Sequence, residues 1–379
     1  MRASEFVALP GMAAPSPAST ARRPLPGLAV EPVRDWRRWE QLEAPWEDLL
    51  AASGVADHFL GHAWLTAWMR AARARPHVLL VWRGVRLVGA APLVLTRELV
   101  RGLPRRRLQF AACGPSDYQS FIAAETPGSV LRACANALVA TRAAWDLLDL
   151  DELDGRDPNL PLLLQALAAA GCTLRVTAAS PCALLPVQGR WEDFYANRVS
   201  GQRRKKYRKA AGRLAALGKV RVDLIERIAP DDHLFDELAE LERAHPRAGA
   251  ERPGMFNLAG ACLRALLPVL ARRGEVLLPV LRLDGQPLAY LLFWLRHGRA
   301  SAWATAYRAS VAGCSPGSLL MCDALGALWA RGVTEIDFNR GVQSYKEGWV
   351  STRRDNLRVR AWHRGWRSQA WFLARRSPA

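Results

Sequence analysis

The fold is decided by residues 275–350, which read EVLLPVLRLDGQPLAYLLFWLRHGRASAWATAYRASVAGCSPGSLLMCDALGALWARGVTEIDFNRGVQSYKEGWV. Three apolar runs separated by tight-turn pairs open this stretch, and they predict three antiparallel strands at 276–283, 288–295 and 299–307. Residues 318–330 are almost wholly apolar and too long for a typical strand, so we expect a buried helix there. A further short strand is predicted at 334–338.

The loop between the third strand and the helix contains Gly313, Ser315, Gly317 and Ser318. Free backbone N–H groups and the helix dipole converge at such a junction, and they suit a phosphate or pyrophosphate. Gly317 lets the backbone approach a ligand without a Cβ in the way. Ser, Pro and Gly are also common at ordinary helix starts. We therefore predict a cofactor-binding loop at 313–318, with an ordinary helix start as the alternative.

This stretch resembles the catalytic half of the GNAT superfamily of N-acetyltransferases, and more closely the CelD/BcsL family of cellulose-biosynthesis acetyltransferases. In that family an SPG helix start is followed by G…DF and then by G…YK…W. The matching residues here are Ser315-Pro316-Gly317, Asp337-Phe338, Tyr345-Lys346 and Trp349. Gly313 and Gly317 depart from the usual acetyltransferase pyrophosphate-loop spacing. The resemblance implies acetyl or other acyl transfer from acetyl-CoA to an amine or hydroxyl, in polysaccharide or cell-envelope biosynthesis.

Four residues are candidates for the chemistry of such a transfer, which needs a base for the acceptor and a donor for the thioester oxygen. Asp337 or His245 is the candidate base, and Lys346 is the candidate electrostatic stabiliser, beside Tyr345. Three of these candidates also have a structural interpretation. Asp337 pairs with Arg340, Lys346 forms a salt bridge with Glu347 or Asp337, or His245 is packed at a helix end, where the helix dipole favours it.

A basic helix is predicted at 197–217, and a similar basic stretch precedes the catalytic half in the CelD/BcsL family. Arg203, Arg204 and Lys206 on this helix, together with Arg340, are the candidate substrate-binding residues. A solvated charged face is the alternative, because such surfaces are routine.

The order of elements in the first half repeats the order in the second. Comparable hairpins begin at residues 78 and 276, 198 residues apart. We therefore predict an α/β protein with two tandem GNAT-like units, each a mixed, mostly antiparallel sheet flanked by helices. Because no convincing Gly-rich loop precedes its helix, the first unit is not expected to bind a cofactor. The predicted divisions are a disordered leader at 1–30, the two units at 31–180 and 181–365, and a basic tail at 366–379.

Composition narrows the class of partner. The formal charge is +18, with 53 Lys and Arg against 35 Asp and Glu, which favours anionic partners. The seven cysteines form no Cys-x-x-Cys pair, which suggests reduced thiols in a cytoplasmic protein and no metal site. No run reaches membrane-spanning length, although the basic, aromatic tail suits peripheral contact with a membrane.

Two other functions stay open at this point. One is FemABX-like aminoacyl transfer from charged tRNA, since FemABX peptidyltransferases resemble such double acetyltransferase folds. The other is a non-catalytic module that binds an anionic polymer through the duplicated fold.

Overall fold

The structure is a computed structural model that describes residues 27–55, 57–246, 254–341, 346 and 348–374. The chain divides into two compact units. The first unit contains the described residues up to Ser180 and those from Arg354 onward, and the second is Pro181–Arg353. The sequence predicted the end of the second unit at residue 365. The difference arises because the last strand pairs with a strand of the first unit, as described below.

The first unit begins with a strand and three helices: β1 Ala29–Val33, α1 Trp36–Glu40, α2 Glu43–Ser53 and α3 His62–Ala71. Six strands and two helices follow: β2 Val78–Arg83, β3 Arg86–Ala91, β4 Leu93–Val100, β5 Leu103–Phe110, β6 Ile122–Ala123, α4 Pro127–Ala140, β7 Leu147–Asp154 and α5 Leu160–Ala169. The strand β8, Thr173–Pro186, crosses the division at Ser180. Near the end of the chain come β14, Thr352–Trp362, and the helix α12, Trp366–Ala374.

The strands of the first unit form two groups. One has the order β1-β2-β3-β6, and in the other β4 pairs with β5, β5 with β7, and β7 with β14. Pro92 separates β3 from β4. Proline has no N–H for a ladder, which explains the break at this position. The helices α4 and α5 cover the core, with buried Val130, Leu138, Leu163 and Leu167.

The second unit starts with the end of β8. Its helices are α6 Trp191–Arg198, α7 Gly201–Ala215, α8 Leu234–Arg243, α9 Met255–Leu258, α10 Gly260–Arg272 and α11 Pro316–Ala330. Its strands are β9 Val220–Ile225, β10 Val276–Leu283, β11 Gln286–Arg296, β12 Arg299–Tyr307 and β13 Glu335–Arg340. The elements predicted between 276 and 338 are therefore present, and β13 extends to Arg340.

The sheet of the second unit has the order β8-β13-β12-β11-β10-β9. Every pair is antiparallel except β12 with β13, which run parallel. The helix α11 packs on this sheet through Leu320, Ala324 and Leu328, which lie four residues apart on one helical face and are fully buried. This packing fixes the N-terminus of α11 beside the end of β12.

Candidate functional site

The loop predicted to bind a cofactor leads from β12 into α11. A 3₁₀ turn at Ala309–Cys314 is followed by Ser315, which has a left-handed backbone (φ 50°) and occupies the N-cap position. The side chain of Ser315 makes no capping hydrogen bond. Its carbonyl oxygen accepts from the backbone N–H groups of Ser318 and Leu319, at 3.0 and 3.2 Å. The backbone alone therefore caps this helix.

Both glycines of this loop border open space. A Cβ placed on Gly313 would meet nothing within 4 Å. A Cβ on Gly317 would meet only Cδ1 of Tyr307, at 3.7 Å, an ordinary contact distance. Packing within the described part of the protein therefore does not require glycine at either position. The face of the loop that these two residues present is open for a ligand.

The loop is held in place by two neighbouring helices. From α7, Arg213 donates through Nη2 to the carbonyl oxygen of Gly313 at 2.7 Å. From the end of α8, the carbonyl oxygen of Ala244 accepts the N–H of Ala309 at 2.9 Å. These contacts hold the start of α11 in one position without a ligand.

A crevice is expected where β12 and β13 separate. The two parallel strands pair only over residues 299–301 and 335–337. Beyond that point β13 bends at Asn339, which has φ 58° and donates its side-chain amide to the carbonyl oxygen of Ala302 at 3.0 Å. The carboxyl ends of neighbouring parallel strands are the usual place for a ligand in α/β sheets. Here that place adjoins the N-terminus of α11.

The candidate base His245 reaches this region through an aromatic contact. Its ring packs edge-on against Tyr307, with 4.8 Å between the ring centroids. Tyr307 is the last residue of β12 and lies next to Gly317. The structure therefore brings together two residues that the sequence predicted separately, His245 and Gly317. The half-buried imidazole is placed beside the opening of the loop.

The second candidate base, Asp337, is fully buried in the middle of β13. One carboxylate oxygen accepts from Arg299, and the other accepts the N–H of Asn339 at 2.6 Å. Its ion-pair partner is therefore Arg299 of β12, whereas the structural interpretation of the sequence had named Arg340. Because both oxygens already accept hydrogen bonds, Asp337 is poorly arranged to take a proton from a substrate.

Lys346 is buried, and its ammonium is bound to the backbone. Nζ donates to the carbonyl oxygens of Phe338 at 2.6 Å, Arg340 at 2.9 Å and Gly341 at 3.4 Å. Backbone oxygens thus surround the ammonium, whereas Glu347, one of the salt-bridge partners suggested by the sequence, lies outside the described residues. Lys346 thereby holds the end of β13 as it leaves the crevice. Its neighbour Tyr345 lies outside the described residues, and its catalytic role stays a prediction.

The predicted substrate-binding residues have different surroundings, and their role in binding stays a prediction. Arg203 donates through Nε to the Tyr207 hydroxyl at 2.7 Å and lies over the ring of Trp349. Arg204 donates to the carbonyl oxygens of Ala196 and Val199, both at 2.6 Å, which caps the end of α6. Lys206 is exposed. Arg340 is half-buried on β13, where it pairs with Cys182 of β8.

Sequence reasoning missed four residues that shape this region, namely Tyr207, Arg213, Arg299 and Tyr307. Tyr207 was the one aromatic residue in a basic helix, which is a usable signal. The other three carried no signal, because their importance depends on contacts to residues that are distant in the chain.

The environment also limits the chemistry. Burial raises the pKa of Cys322, on α11, to about 12, so its thiol stays protonated at neutral pH. A thiolate is needed for attack on a thioester, which disfavours an acyl-cysteine intermediate at this residue.

The described residues contain no group of three or more His, Cys, Asp or Glu side chains that is arranged to hold a metal ion. None of the described helices has both the length and the apolar character to cross a bilayer.

Solved structures with a similar fold cover both units. FemX has a TM-score of 0.63 and 12% sequence identity, over 86% of this chain and 97% of FemX. A conserved protein of unknown function from Bacteroides thetaiotaomicron VPI-5482 has a TM-score of 0.52 and 13% identity, over 84% of this chain and 97% of that protein. The predicted fold class, α/β with two tandem GNAT-like units, is confirmed.

Sequence comparison supports the assignment of the second unit. No curated protein sequence matches the chain. The family model described as the acetyltransferase (GNAT) domain matches residues 201–347, which run from the start of α7 to the segment after β13. This stretch of the second unit is therefore similar to a GNAT acetyltransferase domain.

Proposed function

We propose that the second unit transfers an acetyl or other acyl group from a CoA thioester to an amine or hydroxyl. The observation that carries this proposal is the junction of β12 with α11. An open, glycine-containing helix start lies there beside the ends of two diverging parallel strands. A thioester cofactor with a pyrophosphate needs both features, an anion site and an adjoining crevice.

The residues of the loop fit the phosphate end of such a donor. Pro316 has no N–H, and those of Ser318 and Leu319 bond to the carbonyl oxygen of Ser315. The N–H of Gly317, at the positive end of the helix dipole, is therefore placed to meet a phosphate. Gly313 and Gly317 leave the approach open, while Arg213 holds the carbonyl oxygen of Gly313. Within 309–318 the chain carries no carboxylate that would repel an anion.

We propose His245 as the general base, with Asp337 as the alternative. In direct transfer, the acceptor nitrogen or oxygen attacks the thioester carbonyl carbon while the base takes the acceptor's proton. The C–S bond then breaks, and the thiolate leaves and is protonated. His245 is half-buried beside the loop, and imidazole titrates near neutral pH. Lys346 stays a proposed stabiliser, acting through the backbone that it holds at the end of β13.

The cellular setting follows from the CelD/BcsL resemblance alone. We propose an acceptor from polysaccharide or cell-envelope biosynthesis and a cytoplasmic reaction. Ser315-Pro316-Gly317, Asp337-Phe338 and Lys346 with Trp349 support this assignment as an ordered set.

A second candidate function is aminoacyl transfer from charged tRNA. The observation that favours it is the row of exposed cations on α7, which contains Lys205, Lys206, Arg208 and Lys209. Such a row attracts a phosphate backbone, and its binding would depend strongly on salt.

Calorimetric titration of the full chain with acetyl-CoA, CoA and deacylated tRNA separates the two functions. We expect saturable binding of acetyl-CoA and CoA, and no specific binding of tRNA. Saturable binding of tRNA together with no binding of CoA would overturn acyl transfer from CoA and favour the aminoacyl route.

A further inference from the structure

The terminal helix α12 presents its apolar side to solvent. Trp366 is 79% exposed and Leu373 57%, and Ala370 and Ala374 are also exposed. These four residues lie on one helical face, since they are spaced by four, seven and eight residues from Trp366. The opposite side buries Ser368, whose hydroxyl donates to the carbonyl oxygen of Asp146 at 2.7 Å. The usual arrangement of a surface helix is thereby inverted.

This orientation is fixed by contacts within the first unit. Arg367 donates through Nε to the Asp146 carboxylate at 3.2 Å. The Gln369 side chain donates to the carbonyl oxygen of His363 at 2.8 Å. Phe372 packs on the buried Trp362, with 5.2 Å between the ring centroids. The helix is therefore held with Trp366 and Leu373 pointing outward.

A second apolar element lies beside the helix, at the turn between β4 and β5. Leu99 is 76% exposed and Leu103 61%. Arg105 of β5 lies over the ring of Trp371, at 5.4 Å, and Arg367 donates to the carbonyl oxygen of Pro104 at 3.4 Å. These contacts join the hairpin to the helix. We call the four residues Leu99, Leu103, Trp366 and Leu373 the tip surface.

Large exposed apolar residues, which are rare in this protein, are concentrated at the tip surface. Eight large apolar residues are exposed in the described part of the chain, and the tip surface holds four of them. Scattered single residues of this kind are ordinary, whereas clusters mark interaction sites.

The surroundings of the tip surface are strongly positive. Residues 97–107 and 363–374 contain seven arginines. Glu98, the carboxylate of these segments, is paired with Arg105 at 2.6 Å, and the buried Asp146 beneath them is paired with Arg106 at 2.8 Å. Guanidinium groups therefore outnumber carboxylates around the exposed apolar side chains.

We propose that the tip surface docks the protein on an anionic lipid bilayer. Trp366, Leu373 and the leucines of the hairpin enter the boundary between headgroups and acyl chains, and the arginines contact lipid phosphates. Apolar side chains flanked by cations bind such interfaces, and each cation near an anionic surface adds attraction. A second copy of the chain is a poor occupant, because two arginine-rich surfaces would repel each other.

Flotation with vesicles of phosphatidylcholine, with or without phosphatidylglycerol, tests the proposal on the full chain. We expect the protein to float with phosphatidylglycerol vesicles, and binding to weaken as salt rises. Leu103→Ser combined with Trp366→Ser should reduce the partition at least about tenfold, because two large apolar side chains no longer enter the bilayer. The matched control, Val85→Ser with Leu258→Ser, removes two exposed apolar residues elsewhere and should bind like the parent.

Arg97→Glu with Arg101→Glu provides a second variant, at exposed positions of the same hairpin. It should lose binding to anionic vesicles while keeping the parental melting temperature. The proposal is overturned if the parent does not float, or if both variants float like the parent. It is also overturned if sedimentation shows a parental dimer that the Leu103→Ser/Trp366→Ser variant dissociates, since the surface would then be a protein interface.

Discussion

The two units begin corresponding helices with the same three residues, Pro127-Gly128-Ser129 at α4 and Pro316-Gly317-Ser318 at α11. Each start follows a left-handed residue, Thr126 with φ 41° or Ser315 with φ 50°. The carbonyl oxygen of Thr126 accepts two backbone N–H groups, at 2.9 and 3.2 Å. The carbonyl oxygen of Ser315 likewise accepts two, at 3.0 and 3.2 Å. The helix start itself therefore does not distinguish a ligand-binding unit from one without a ligand.

The difference lies in the gap between the parallel strands beside each helix. β5 and β7 pair over three residues, as β12 and β13 do. Beyond this pairing, the first unit places its own chain against β7. The N–H of Gln119 donates to the carbonyl oxygen of Glu152 at 2.9 Å, and Gln119 forms a parallel bridge with Leu153. In the described part of the second unit no segment pairs in this way between β12 and β13. The comparison supports a donor crevice in the second unit alone.

The charges beside the two helix starts also favour a ligand site in the second unit. Next to α4, Glu125 is paired with Arg83 and Arg86, both at 2.5 Å. Next to α11 the chain uses Arg213, bound to a backbone carbonyl oxygen. At the start of α4, the carboxylate of Glu125 repels an anionic ligand. At the start of α11, residues 309–318 contain no carboxylate that would offset the positive end of the helix dipole.

The largest expected effect concerns an arginine–aspartate ion pair that occurs in each of the two units. Asp337 pairs with Arg299 across β13 and β12, and Asp149 lies 3.6 Å from Arg107 across β7 and β5. A pair present in both units belongs to strand pairing. We expect Asp337→Asn and Asp149→Asn each to lower the free energy of unfolding by about 3 kcal/mol, since each removes a buried carboxylate that neutralises neighbouring arginines. Calorimetric melting measures this change.

Turnover of folded Asp337→Asn then tests the assignment of the base. We expect it to stay within about threefold of the parent, whereas loss of a general base costs roughly 10²–10⁴-fold. A loss in that range, with an unchanged melting temperature, would make Asp337 the base in place of His245.

The second prediction tests whether the two similar helix starts differ in CoA binding. Gly317→Val should weaken CoA binding about a hundredfold, because the added side chain blocks the approach of a phosphate to the helix start, where a charge-assisted hydrogen bond contributes up to about 3 kcal/mol. Gly128→Val is the matched control, as it places the same side chain at the same position of α4, where a Cβ meets nothing within 4 Å. We expect parental affinity for this control in calorimetric titration. Equal affinities in both variants would exclude the 313–318 loop as the donor site.

The third prediction concerns the stability of the first unit at low pH. The residue before β7 is Asp146, while Thr334 precedes β13. Burial works to raise the pKa of Asp146, but hydrogen bonds from Arg106 outweigh it, with help from Arg367, and lower the pKa to about 2. A carboxylate with a depressed pKa stabilises the fold above its unfolded pKa near 3.8, and this stabilisation is lost as pH falls toward 2.

We therefore expect the first unit to lose about 2 kcal/mol between pH 4 and pH 2 through Asp146. Hydrogen exchange of β7 should accelerate over this range more than that of β13. In Asp146→Asn this difference between the strands should shrink. An unchanged difference would contradict the role of Asp146.

The smallest expected effect concerns α7. Its inward residues Arg203 and Arg204 are bound to protein groups, and its outward residues Lys205, Lys206 and Lys209 are exposed. Reversing the three lysines to Glu should weaken binding of an anionic acceptor by only about three- to tenfold, with a shallower salt dependence. If salt titrations of this variant and the parent superimpose, the outward face of α7 is only solvated.

The sequence alone determined the order of strands and helices in the second unit. Apolar runs of strand length, tight-turn pairs and one long apolar segment specify those elements locally. It also located the helix start at 315–318 and the duplication. These features depend on neighbours along the chain, and the sequence displays such neighbours directly.

Tertiary structure decided which of two alike helix starts borders a crevice, because the filling segment at Gln119 comes from a different stretch of chain. It also decided the partners of the buried charges. Arg299 of β12 binds Asp337, and the carbonyl oxygens of Phe338, Arg340 and Gly341 bind Lys346. A buried charge must be paired wherever the fold brings a partner, and that partner is set by strand register and chain reversal rather than by distance along the sequence.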